Sequence, residues 1–265
     1  MATVALVPQG DGVVSVGRVF SRAFGFIVRN PAISVGSALL FGALPSILSQ
    51  VLTFGIMGSP TGLSRPMFTG LTTLQLLSFL VTLVFGALVQ AIITRGVVIE
   101  HEGGRPSLGE CLAGALKFAV PIVLLTILWW LGLMIGFVFL VVPGLMLLTM
   151  WAVAVPALVE ERTGVIGAFG RSRALTKGSR WKVFGLLMVL LVGIYLIMGI
   201  VGVVGLSQGA LTPTAGRVPM TLLAGSAIMG FVFNLLWSTI QPSLFVELRD
   251  AREGGSVSDL HQVFA

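Results

Sequence analysis

From Phe118 to Val159 the chain runs for 42 residues without a Lys, Arg, Asp, Glu or His. A soluble domain carries about 25% charged residues and needs a polar exterior, and this run has no polar face to offer. It is about twice the roughly 20 apolar residues that cross a bilayer core, so it reads as two crossings folded against each other. Four further charge-free runs, 30–64, 66–94, 183–216 and 218–246, are each long enough to cross once. With 56% of residues hydrophobic and 10% charged, the whole chain reads as a polytopic membrane protein.

In lipid every backbone polar group must be satisfied internally, which leaves helices or a closed barrel. A barrel would show alternating segments of about 10 residues, a pattern this sequence lacks. The expected fold is all-α: six transmembrane helices in three hairpins, at about 32–57, 71–94, 118–140, 145–160, 183–206 and 220–241, with amphipathic helices on the cytoplasmic surface. Residues 1–254 are expected to form one membrane domain, and 255–265 a polar tail, loosely ordered beyond Gly254. The N-terminal residues lack the charged and apolar regions of a cleaved signal. VVPG at 141–144 reads as a tight hairpin between crossings 3 and 4. Crossing 4 is then short, so either the hairpin tip is sunk below the far surface or the helix continues past Glu160. Gln241-Pro242 is expected to kink or end crossing 6.

Residues 14–29 form the clearest surface helix. Arg18, Arg22 and Arg29 share one side, and Val16, Val19, Phe20, Ala23, Phe24 and Ile27 the other, the pattern of a helix lying in the headgroup plane. Phe20, Phe24 and Ile27 are expected to meet the apolar layer, and the three arginines the wet side. Related openings, SVGRVFSRAF (15–24), SLGECLAGAL (107–116) and VIGAFGRSRAL (165–175), precede apolar runs and suggest three repeated two-helix units.

Fourteen of the sixteen Lys and Arg residues fall in segments that this topology places on one side. The positive-inside rule makes that side, and both termini, cytoplasmic. The expected location is the bacterial cytoplasmic (inner) membrane. The densest cluster, AFGRSRALTKGSRWK at 168–182, is first a topological anchor. Arg171, Arg173, Lys177, Arg180 and Lys182 are also candidates to hold anionic lipid headgroups, each attracted by about 1 kcal/mol, or to dock a partner protein. Nucleic acid is not an expected partner, because the chain offers no soluble domain and no aromatic-lined groove to read bases.

The stretch 141–187 contains Pro143-Gly144, Pro156-Ala157-Leu158 before Glu160, a Gly ahead of a basic Ala-containing helix with Arg171, Arg173 and Ala174-Leu175-Thr176, and Lys177-Gly178 leading to Trp181. Over these roughly 45 residues the chain resembles the membrane domain associated with some bacterial glycerophosphoryl diester phosphodiesterases, and the stand-alone six-helix YciC-like inner-membrane proteins. The resemblance implies six crossings with cytoplasmic surface helices and a role tied to membranes. It brings no catalytic residue, since the phosphodiesterase chemistry of such proteins belongs to a separate soluble barrel that this chain lacks.

The predicted crossings contain no ionisable side chain, which argues against a carboxylate proton relay or a voltage sensor. His101 and His261 stand apart from other metal-ligand types, and Glu100-His101-Glu102 reads as a polar loop. No catalytic residue, cofactor or metal is expected. Gln50, Gln75, Gln90, Asn234 and Gln241 are expected to hydrogen-bond between helices; Gln90, Asn234 and Gln241 are also the candidates to line a polar cleft. Gly132/Gly136 and Gly205/Gly209 are spaced for close helix approach, within the bundle before self-association. The function expected first is a non-enzymatic membrane protein that acts on or through lipids, or as an accessory subunit of a membrane assembly. A transporter or channel for a lipid-like or small neutral solute comes second, and a membrane-embedded enzyme third.

Overall fold

The computed structural model describes residues 14–45, 47, 69–207 and 220–263. Among them there is no strand, and helices take up nearly all of these residues. In order these are α1 (Val16–Arg29), α2 (Pro31–Ser37, continued by a π-helical turn at Ala38–Ala43), α3 (Thr69–His101), α4 (Leu108–Lys117), α5 (Ala119–Phe139), α6 (Val141–Met150), α7 (Ala154–Glu161), α8 (Gly164–Thr176), α9 (Arg180–Ser207) and α10 (Met220–Val263). Among the described residues five segments are long and apolar enough to cross a membrane: Leu76–His101, Ala119–Phe139, Val141–Glu161, Arg180–Ile197 and Ala227–Glu253. A sixth is reached if α1 and the Pro31–Ala43 helix, bent by 95°, count as one.

That bend falls where the sequence places it. Asn30 ends α1, and Pro31 opens α2 at the first helical position, where its missing N–H costs nothing. The predicted first crossing continues beyond the described residues, as do Gln50 and the loops that follow crossings 1 and 5. Of Gln75 and Gly205 only the helical backbone is described, and Gly209 lies outside altogether.

Several boundaries differ from the sequence reading. The chain reverses at Leu140, whose extended backbone (φ −170°, ψ 150°) separates α5 from α6, while VVPG forms the first turn of α6. Crossing 4 therefore begins near Val141 and is 21 residues long, with a break at 151–153 between α6 and α7. It ends at Glu161, where Arg162 takes a left-handed conformation (φ 50°). Helix α3 runs on to His101, so Glu100 and His101 sit on a helix and not in a loop.

Helix α10 neither ends nor breaks at Pro242 but continues to Val263, which makes the last predicted crossing and most of the predicted loose tail one helix. Proline removes one donor and crowds the preceding turn. In a membrane helix this is tolerated where neighbouring helices and hydroxyl side chains support the backbone. Here every residue from Ser238 to Leu248 is buried. The hydroxyls of Ser238, Thr239 and Ser243 donate to the carbonyls of Asn234, Leu235 and Thr239 at 2.6–2.7 Å.

The three short helices α1, α4 and α8 occupy the three predicted repeat positions, each ahead of an apolar helix. Ser107 caps α4 by accepting from the Glu110 N–H at 3.3 Å, one half of a capping box. Helix α1 buries Val19, Ala23 and Phe26, and α8 buries Ala168, Ser172 and Leu175 at the same spacing. In α4 the matching positions are buried Cys111 and Ala115, then half-buried Phe118. The recurrence is of one buried stripe at i, i+4, i+7. It aligns Gly17 with Ile166, one residue off the glycine match seen in sequence.

Candidate functional site

Helix α1 presents three faces, not two. Val19, Ala23 and Phe26 face the protein, and the Phe26 ring occupies the space left by Gly96 of α3, where an added Cβ would lie 2.8 Å from its Cζ. Phe24 is 50% exposed and Val28 79%, so these two lead the exposed apolar side; Phe20, stacked on Phe24 at 6.3 Å, and Ile27 are half-buried. The arginines on the third side are held by carboxylates. Arg18 Nε donates to Glu247 Oε1 at 2.7 Å, Arg22 lies 3.4 Å from Asp250 and 3.9 Å from Glu247, and Arg29 Nε donates to Glu100 at 2.8 Å. Asn30 donates to the same Glu100 carboxylate. Phe26 and Glu247 escape a sequence reading that sorts α1 into two sides, though the 19, 23, 26 stripe was there to be seen.

More of these pairs lie at the same ends of the long helices. Arg95 of α3 meets Glu160 of α7 at 3.4 Å, His101 faces Asp250 at 3.3 Å, and Arg171 of α8 bridges Glu161 and Glu253. The hydrogen bond that Arg171 donates to Glu161 pushes its guanidinium above the ordinary pKa, so it stays charged. The helices containing the crossings thus do carry ionisable groups, among them Arg95, Glu160 and Glu247. The charge-free windows stop just short of them, and the helices run on. Glu247 is 3% exposed, and a carboxylate so enclosed needs partners to offset its lost hydration.

The amides predicted to lie within the bundle are partly joined. Gln90 of α3 donates to Gln241 of α10, the packing role expected of intramembrane amides. Asn234 sits apart from that pair against Gly42, whose added Cβ would lie 3.1 Å from the amide carbon, and near Gly86. Its Oδ1 is buried without a hydrogen-bond partner. Among the described residues no group of three or more His, Cys, Asp or Glu side chains could hold a metal.

The basic cluster divides. Arg171 is engaged with two carboxylates. Arg173, Lys177 and Lys182 are exposed, and Arg180 is half-buried. None of these four makes an ion pair or hydrogen bond through its side chain among the described residues, and the Arg180 Nε is enclosed without a partner. Trp181 stands between them at 85% exposure. An indole so exposed beside cations is the arrangement found where a membrane protein meets the headgroup layer. Comparison with protein-family models, curated proteins and solved structures finds no match to this chain.

Proposed function

We propose that the chain is a non-enzymatic, multi-pass protein of the bacterial inner membrane that acts through anionic lipids, as a binding or organising subunit, with both termini cytoplasmic. The observation that carries this reading is the division of its cations. Arg18, Arg22, Arg29, Arg95 and Arg171 each have a carboxylate within 4.0 Å, whereas Arg173, Lys177, Arg180 and Lys182 have none among the described residues and stand beside an exposed tryptophan. Topology alone asks only for charge on one side, and paired arginines supply it; the unpaired group leaves a local positive potential that phosphate headgroups would meet. The resemblance over 141–187 supports a membrane-linked role in the same direction. Transport of a lipid-like or neutral solute has the open acceptor of Asn234 in its favour, but Gln90 and Gln241 bond each other and give it no wider polar path. A docked membrane protein or a second copy remains compatible with the exposed group.

The test is gentle extraction of the full chain from its native membrane, followed by identification of what accompanies it. Anionic phospholipid should be enriched at least severalfold over its share of the bulk membrane. The enrichment should fall when Arg173, Lys177 and Lys182 become Gln, a change that spares every ion pair described above. A lipid profile equal to the bulk membrane for the wild type would overturn the reading.

Topology is checked separately by single-cysteine labelling in a Cys111→Ser background. The native Cys111 is 0% exposed, and burial pushes its thiol up to about 11, so replacing it sacrifices no accessible site. Cysteines at exposed Glu102 and Arg173 should resist an impermeant reagent added outside intact cells and react once the cells are opened. Labelling of either from outside would reverse the orientation.

A further inference from the structure

Between α6 and the start of α9 runs a groove of about 420 Å³, lined by Val142, Leu145, Met146, Thr149, Trp181 and Phe184, with Arg180 at its edge. From Val142 to Thr149 the α6 wall spans roughly 10 Å at helical rise. A second, smaller hollow of about 290 Å³ shares Arg180 and Trp181 with it and adds Lys177 and Gly178. The two together make an apolar trough that opens onto a cationic mouth.

We infer that this trough and mouth form a specific site for one anionic phospholipid, an acyl chain lying along Val142, Leu145, Met146 and Phe184 and its phosphate held by Arg180 and Lys177. The inference rests on the lipid-binding reading above and gives it a place. The charge at the mouth is uncompensated: no carboxylate lines either hollow, and the enclosed Arg180 Nε has no acceptor. A charged group left without an acceptor or counter-ion is costly, and a phosphate at the mouth supplies the counter-charge. Arg252, held by the Leu175 carbonyl at 3.0 Å, brings a third cation near the turn, 3.7 Å from where a Cβ on Gly178 would stand. Gly178 itself has φ +88°, a conformation that lets the chain reverse sharply between Lys177 and Arg180 and sets both at the same opening. The first N–H groups of α9 point the positive end of a 28-residue helix the same way. Thr149 is the sole hydroxyl on the walls; the remaining surface suits hydrocarbon.

The occupant is a lipid and not a free anion, because the larger hollow is apolar and would gain nothing from inorganic phosphate. It is anionic and not zwitterionic, because a choline headgroup would bring its own cation to a mouth that already holds two without a counter-ion.

The test uses the full chain in a mild detergent and native mass spectrometry with added phosphatidylglycerol or phosphatidylcholine. Wild type should retain one phosphatidylglycerol at least tenfold better than phosphatidylcholine. Lys177→Gln with Arg180→Gln should abolish that preference, and Met146→Trp, which fills the trough and leaves the charges, should lower retention of phosphatidylglycerol by a similar factor. Arg105→Gln, at an exposed position that lines neither hollow, should change nothing. Variants are compared only where gel filtration gives the wild-type elution; should Met146→Trp fail there, Leu145→Phe takes its place. Displacement of the lipid by millimolar inorganic phosphate would mean a bare anion site, and a dimer lost on Met146→Trp would mean a second copy covers the groove; either overturns the inference. So does unchanged preference in the double Gln variant. If native extraction enriches anionic lipid while these variants leave binding intact, the site is wrong and the general reading stands; if it enriches none, the general reading falls by itself.

Discussion

Gly132→Ala should destabilise the protein by on the order of 1–3 kcal/mol, against the ordinary direction of such a change. Within a helix, replacing Gly by Ala stabilises by about 1 kcal/mol. At Gly132 the added Cβ would overlap the six-membered edge of the Trp151 indole. That ring cannot swing aside freely, since Phe169 of α8 packs against it with centroids 4.7 Å apart. The same close approach continues along the α5–α6 pair, where a Cβ on Gly136 would lie 3.1 Å from the Gly144 Cα and one on Gly144 would lie 2.6 Å from the Phe137 ring. The proper controls are Gly170→Ala and Gly185→Ala, helical positions with nothing within 4 Å of the new atom; these should be neutral or stabilising. Thermal unfolding in detergent reads the difference, and Trp151→Leu in the Gly132→Ala background should recover most of the loss. Equal stability of Gly132→Ala and Gly185→Ala would show that α5 and α6 are not held at this distance by the missing side chain.

The Gly132/Gly136 spacing was legible because small residues four apart lie on one helix face; what faced them was not. Trp151 lies 19 residues further on, beyond the reversal at Leu140, and reaches Gly132 only because α6 folds back along α5. The same distinction runs through the charges. Counting Lys and Arg by segment finds a one-sided distribution, because that property is a sum over local stretches. It cannot find that Arg18 meets Glu247 across 229 residues, or that Arg171 is held by Glu161 and Glu253. Treating all five cluster cations alike followed from that blindness to partners, whereas the structure separates Arg171 from Arg180. The helix ends were misread for a related reason. A charged or proline residue closes an apolar window in sequence, but α3 and α10 continue past Arg95 and Pro242, since packing on other helices, not apolarity alone, holds their last turns.

Glu247→Gln should loosen α1 from the bundle, with a loss on the order of 2–3 kcal/mol. Breaking a fully buried ion pair by removing one partner costs about 3–5 kcal/mol because a charge is left uncompensated. Two features lower the figure here: the Arg18 side chain is 53% exposed and can rehydrate, and Arg22 keeps Asp250 at 3.4 Å. The glutamine conserves volume and can still accept from the Ser15 N–H, which reaches Glu247 Oε1 at 3.1 Å, so the change isolates charge from packing. Arg22, 25% exposed and with one terminal nitrogen buried and unpartnered, bears most of the cost. The local consequence should exceed the global one: amides of residues 16–23 should exchange with deuterium faster, while those of α5, remote from these contacts, keep wild-type protection. Removing the arginines as well, as Arg18→Gln and Arg22→Gln with Glu247→Gln, should be less damaging than Glu247→Gln alone, since the triple variant leaves no unmatched charge at the buried position, and Asp250, which loses Arg22, is 45% exposed and keeps His101 at 3.3 Å. That order of stabilities is what a packing role cannot produce, and a triple variant weaker than the single one would mean that Glu247 holds α1 by shape and hydrogen bonding without need of its charge.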